Sequence, residues 1–203
     1  MNNSLSPVFA ETYQFYLDQI DRVDYLGRAE MLGLKTDGDC LIVPVYNNLY
    51  ALSSKEVKDL KGKETTPALR VMICKYILHY TEEALNGEDK FVTYREFKDA
   101  APLTSYFAAN TNKTLESAFS GEIPFLKKRA LEIGGEVLES EMYDLSLKFF
   151  AFPKIPVVMN FNDTDDLFPA QCSILYRSSA DRYLDMECLS MTGTLLTGKL
   201  IST

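Results

Sequence analysis

Residues Phe152–Leu189 read FPKIPVVMNFNDTDDLFPAQCSILYRSSADRYLDMECL, and their order decides the fold class. Ile155 to Phe161 is a mostly apolar run interrupted by Pro156, entered through the turn Phe152-Pro153-Lys154, and it predicts a strand. An acidic loop with Asp163, Asp165 and Asp166 follows and closes at Phe168-Pro169. Cys172 to Tyr176 predicts a further strand, and Ser178-Ser179 leads into a helical tail. From about Asp185 that tail carries Met186, Leu189, Gly193, Leu196 and Leu200 at alternating three- and four-residue steps, the spacing of a helix that closes a core.

Upstream, Leu145, Leu147 and Phe149 alternate with Asp144, Ser146 and Lys148, which predicts a strand with one solvated face. Thr104 to Phe119 and Glu122 to Ile133 read as two helices on one sheet face, separated at Gly121 and stopped by Gly134-Gly135. Phe91 to Tyr94 predicts a short strand and Tyr94 to Ala100 a helical turn, after a segment ended by Asn86-Gly87. The most apolar helix begins at the Thr66-Pro67 cap and carries Leu69, Met72, Ile73, Tyr76, Ile77 and Tyr80, so it is expected at the centre.

The first third adds helices and a hairpin. Ser6-Pro7 starts an amphipathic helix with Phe9, Tyr13, Tyr16, Ile20 and Val23, and Leu26 to Leu32 continues as a helical piece ended by Gly33. Cys40 to Tyr46 and Leu49 to Leu52 form a hairpin turning at Asn47-Asn48, with Pro44 pointing to an edge position. Ser53-Ser54-Lys55-Glu56 has the form of a capping box and predicts a short helix ending near Gly62. Regular strand-helix-strand alternation is missing, so the class is α+β, a mainly antiparallel sheet with helices packed on it. With no repeat or linker, residues 1–203 are one domain, with a helical and hairpin half over 1–134 and a sheet-rich half over 135–203.

A chain of 203 residues with 46% hydrophobic content has the material for a core without disulfides or metals. Net charge −8 repels phosphate backbones and anionic lipid, so nucleic acid and membrane are excluded as partners. The four cysteines lie far apart, as free thiols of a reducing, cytoplasmic protein. No secretory leader and no apolar run of membrane-spanning length is present.

The residues that could carry chemistry are few. Asp163, Asp165 and Asp166 crowd one loop where carboxylates could meet a hard cation, but neither an EF-hand nor another cation-loop spacing fits; a turn with aspartate capping its own backbone is the simpler reading. His79 is the lone histidine, with Lys75 and Glu82 beside it on the polar flank of the central helix. No nucleotide-binding glycine pattern, catalytic constellation, metal motif or cofactor motif occurs. The 12 Tyr and 12 Phe suit core packing, and their surplus also suits a ligand groove or an interface.

Several motifs together resemble a known family: I-L-H-Y at Ile77 to Tyr80, V-T-Y-R-E-F at Val92 to Phe97, Gly134-Gly135, and above all F-P-K-I-P-V, D-D-L-F-P-A, S-I-L-Y and S-S-A-D-R-Y-L. These are similar to the prokaryotic family called domain of unknown function 3786, from about Leu32 onward. The resemblance implies a setting among anaerobes, in redox or one-carbon metabolism; with no cysteine cluster here, a redox role implies a partner that holds the centre. Relative to the family pattern, Phe161-Asn162 replaces a tryptophan, Leu167 an acid, and Tyr176-Arg177 a Phe-Asp pair.

Three functions follow as expectations. The first is a non-catalytic accessory or ligand-binding protein, with Asp163, Asp165, Asp166, Phe168, Arg177 and His79 as the binding residues. The second is a metal-assisted enzyme using the three aspartates and His79. The third is an interaction module that docks on a protein partner through an edge strand or an apolar patch.

Overall fold

The computed structural model describes residues 7–81 and 88–202, side chains from residue 10 on; Ser6, Phe9, Glu82 and the Asn86-Gly87 stop, all used above, lie outside the described residues or side chains. The fold is α+β with antiparallel pairing throughout, as the sequence predicts, and among the described residues the strands divide into two sheets. The first is a meander in the order β1 (Lys35–Asp37), β2 (Cys40–Val45), β3 (Asn48–Leu52), β4 (Val57–Asp59). The second has the order β5-β9-β8-β7-β6, from β5 (Phe91–Thr93), β6 (Glu136–Leu138), β7 (Leu145–Phe152), β8 (Ile155–Asn162) and β9 (Gln171–Arg177). β5 comes from the first half of the sequence, so the two halves share a sheet.

Seven α-helical segments are described: α1 (Pro7–Ile20), α2 (Ala29–Leu32), α3 (Pro67–His79), α4 (Thr104–Asn110), α5 (Asn112–Phe119), α6 (Ile123–Glu132) and α7 (Met186–Ile201). Thr66 caps α3 as its sequence predicts, its hydroxyl accepting from Leu69 N–H, and the helix buries Met72, Ile73, Cys74, Tyr76 and Ile77. Tyr76 ties three elements: its hydroxyl donates to the Leu32 carbonyl at 2.9 Å, accepts from Lys154 N–H at 3.2 Å, and its ring stacks on Phe152 at 4.3 Å.

α7 is the strut between the sheets. Asp185 caps it by accepting from Cys188 N–H at 2.8 Å, and three tyrosine hydroxyls reach it from separate elements. Tyr46, at the β2–β3 tip, donates to the Thr192 carbonyl at 2.7 Å; Tyr94, after β5, donates to Met186 at 2.7 Å; Tyr176, in β9, meets the Thr192 hydroxyl at 3.0 Å. These three tyrosines are spent on satisfied core contacts.

Five expectations about single elements are corrected. The hairpin turns at Tyr46-Asn47, since Val45 pairs with Asn48, and the positive φ of 52° falls on Tyr46. Its N–H donates to the carbonyls of Phe150 and Ala151 at 3.1 and 3.2 Å. Those acceptors are free because β7 bulges between Phe150 and Phe152, and Pro156, opposite Phe150, has no N–H. Pro44 lies in an inner strand, but β1 ends at the Lys35–Ile42 pair, so its missing N–H faces no partner strand.

The capping box at Ser53 starts no helix. Ser53 N–H donates to the Glu56 carbonyl at 3.0 Å, turning the chain into β4, where Val57 and Asp59 point inward at the alternation of a strand. The span 104–119 breaks at Thr111, whose buried hydroxyl bonds back to the Phe107 carbonyl. Lastly, Ser146 is buried rather than solvated: its hydroxyl donates to Asn160 Oδ1 at 2.7 Å, directly across the β7–β8 pair.

Candidate functional site

The acidic loop lies at the end of the five-stranded sheet where β7 begins, β8 ends and β9 begins. Its bonds set a fixed turn. Asp144 N–H donates to Asn162 Oδ1 at 3.1 Å, and Asp163 N–H donates to Asp144 Oδ2 at 2.8 Å. Asp163 Oδ1 accepts from Gly121 and Thr164 N–H at 2.6 and 2.8 Å. Asp165 Oδ1 accepts from Leu167 and Phe168 N–H at 2.8 and 2.7 Å, while Asp165 N–H donates to the Phe168 carbonyl at 3.0 Å. Aspartate capping its own backbone is thus the local reason for the loop, and one oxygen of Asp144, Asp163 and Asp165 is engaged in each case.

What this turn presents is apolar. Leu167 is 81% exposed and Phe168 62% exposed, and Met142, on the neighbouring loop ahead of β7, is 79% exposed. Ser140 fixes that neighbouring loop by accepting from Met142 and Tyr143 N–H. An open basin of about 480 Å³ lies between, bordered by Asp144, Asp163, Asp165, Phe168 and Gln171. The two segments 139–144 and 162–171 contain Glu139, Glu141, Asp144, Asp163, Asp165 and Asp166 and no lysine or arginine.

The structure brings Asp163, Asp165 and Phe168 together, with Asp166 exposed on the same turn. It places Arg177 and His79 elsewhere. Arg177, at the far end of β9, donates to the Asp89 carbonyl at 2.6 Å and stacks 4.3 Å over Phe91. His79 Nε2 lies 3.1 Å from the carbonyl of Asp181, beyond that same end. The seven residues of β9 separate the two groups by roughly 20 Å at ~3.4 Å per residue, so His79 handles no proton at the acidic loop. Among the described residues no group of three or more His, Cys, Asp or Glu is arranged to hold a metal ion.

A second concavity was not legible in sequence. Lys75 bonds Asp185 Oδ2 at 2.6 Å and lies 5.4 Å from the Tyr16 ring centre. Around them Val71, Cys188 and Met191 wall a groove of about 300 Å³ between α1, α3 and α7. Burial opposes the charge of Lys75, but the bond to Asp185 outweighs it and holds the ammonium. Burial also opposes the Asp185 carboxylate, and Lys75 and Cys188 N–H together hold its pKa below the usual range. The two partners lie 110 residues apart, and only the cap at Asp185 left a trace in the sequence.

The thiols lie in environments that suppress thiolate. Burial pushes Cys74 up to about 12 and raises Cys172 and Cys188 further, and Cys40, partly buried beside Asp39, is raised as well. Burial holds the Asp181 carboxyl above its ordinary value. No helix among the described residues is long and apolar enough to cross a membrane.

A family model described as "Domain of unknown function (DUF3786)" matches residues 24–199. Neither the curated proteins nor the solved structures contain a match to the chain.

Proposed function

The chain belongs to the DUF3786 family, and from that premise we propose that it is a partner-binding accessory module that docks through the acidic, apolar end of its five-stranded sheet. One observation carries this reading. Met142, Leu167 and Phe168 are the three most exposed large hydrophobic side chains among the described residues, and all three lie on adjoining loops at that end. Each leaves roughly 1.5–3 kcal/mol of burial unrealised, and rigid hydrogen bonds hold the loops that display them. Apolar side chains displayed at one end of a fold among polar neighbours are the form of a protein interface. The partner it suits has an apolar recess framed by lysine or arginine.

The non-catalytic part of the reading has separate support: the thiols are suppressed and the lone histidine is remote from the aspartates. The test is a photo-cross-linking residue at Phe168, with one at the exposed Tyr106 as control. The reading expects a specific adduct in native extract from position 168 alone, mapped on the partner to an apolar site beside basic residues. Equal labelling from both positions, or none, overturns it.

A second reading is favoured by the groove between α1, α3 and α7, whose volume and largely apolar walls, with the Lys75 ammonium and the Glu187 carboxylate among them, suit a small ligand of no net charge that bears a hydrogen-bond acceptor. A fragment screen by thermal shift, with a Met191→Trp variant that fills the groove, tests it: hits must vanish in the variant.

A further inference from the structure

The chain also carries the complement of the surface just described. The hairpin register continues past Tyr50–Asp59, with Leu60 N–H donating to the Leu49 carbonyl at 3.0 Å. Leu49 and Leu60 therefore sit side by side, 45% and 51% exposed. The chain then turns, Gly62 N–H donating to the Asp59 carbonyl at 3.0 Å, which puts Lys61 on the turn directly after Leu60. Lys199, from the last turn of α7, reaches this spot as well, its Nζ 3.3 Å from Asn47 Oδ1. Lys61 and Lys63 are exposed. Burial, then Lys61 and Lys63, lower the pKa of Lys199, as three crowded ammonium groups require.

The acids nearby leave this patch positive. Asp59 is buried and accepts from Lys61 N–H at 2.6 Å, Glu56 pairs with Lys58, and Glu64 is the exposed acid that remains between residues 57 and 64. In a chain of net charge −8, an apolar pair framed by lysines is the less expected feature. It is also well separated from the acidic end. The hairpin tip bonds Phe150 and Ala151 near the end of β7, whereas the acidic loops flank its start, roughly 20 Å away along the strand. The two surfaces of one molecule cannot meet.

We propose that the acidic apolar end of one copy, Met142, Leu167 and Phe168 with their carboxylates, docks on the Leu49–Leu60 patch and its lysines in a second copy. This rests on the docking reading above and names the partner as the chain itself. The contact is heterologous, using different surfaces on the two copies. Patches of a few side chains fall at the small end of the interface range, so the association is weak, concentration-dependent and loosened by salt.

Sedimentation equilibrium of the full chain, with rising protein concentration at low and high salt, tests this with two lesions made on exposed positions. Leu167→Ser with Phe168→Ser removes the acidic end's apolar tip, and Lys61→Glu with Lys63→Glu reverses the basic patch. Wild type should associate more weakly as salt rises, and each lesion alone should weaken association at least roughly tenfold. An equimolar mixture should recover it, because one variant keeps an intact basic patch and the other an intact acidic end. A wild type monomeric at every concentration, or a mixture no better than its parts, overturns the proposal. If cross-linking from position 168 then captures a different protein, the docking reading stands and self-association alone falls.

Discussion

Asp165 holds Phe168 from both sides, its carboxylate accepting the Phe168 N–H at 2.7 Å and its own N–H donating to the Phe168 carbonyl at 3.0 Å. The turn that carries two of the three most exposed large hydrophobic side chains among the described residues is therefore held by a closed pair of bonds, and the residue that makes them is one of the aspartates that looked available for a cation. Its use by the backbone leaves Leu167 and Phe168 as the part of the loop with no internal role.

Asp165→Ala removes the acceptor for two N–H groups and should free the turn, raising amide exchange at Leu167 and Phe168 with a loss of about 1 kcal/mol in local stability. Asp165→Asn keeps an acceptor oxygen and should hold the turn. Docking should weaken in the alanine variant and persist in the asparagine variant, which separates the turn's order from its charge.

Calcium, magnesium or manganese should leave the melting temperature within ~1 °C of the metal-free value, because each of Asp144, Asp163 and Asp165 has an oxygen committed to the backbone. Differential scanning calorimetry at millimolar metal checks this. A rise that scales with metal concentration and is lost in Asp163→Asn would restore a cation site.

The Lys75–Asp185 pair gives a pH dependence at two ends. The folded pKa of Asp185 is lowered, so its contribution is present above the unfolded value near ~3.9 and is lost as pH falls below it. That of Lys75 is raised, so its contribution is present below ~10.4 and is lost as pH rises through the folded value. Asp185 is 37% exposed, which keeps the pair modest, on the order of 1 kcal/mol. Unfolding free energies from urea titration at neutral pH should fall by that amount in Asp185→Asn and by about 1 kcal/mol more in Asp185→Ala, which also loses the cap of α7. In Asp185→Asn the loss between pH 5 and 3 should shrink.

Gly193→Ala should destabilise by roughly 1–3 kcal/mol, although glycine to alanine within a helix ordinarily stabilises. An added Cβ would come 2.5 Å from a Phe107 ring carbon and 3.0 Å from the Tyr176 hydroxyl. Both are held, Phe107 by its stack on Tyr94 and Tyr176 by Thr192. Thermal denaturation reads the sign directly.

Much of this fold was legible residue by residue. Thr66-Pro67, Asp185, Gly33 and the apolar run at Ile155 each name their element by local physics, a cap, a left-handed stop or a strand period. The errors arose where a distant residue decided. Ser53-Lys55-Glu56 carries a helix-start pattern that β3 overrides by pairing, and Tyr46 takes the positive φ that Asn48 was better suited to because Phe150, Ala151 and Thr192 bind it. The candidate site divides in the same way. The turn chemistry of Asp163 and Asp165 was readable, but the distance of His79 and Arg177 from it, and the placing of Met142 at the same sheet end as Leu167 and Phe168, follow from strand order.

Hydroxyl-radical footprinting of Met142, Leu167 and Phe168, with the 59% exposed Phe15 as internal reference, tests the docking claim most directly. In dilute purified protein all four should be modified at rates set by their exposure. In native extract, or in concentrated protein, the account predicts that modification of Met142, Leu167 and Phe168 falls severalfold together while that of Phe15 is unchanged. Undiminished modification of the three under both conditions would contradict it.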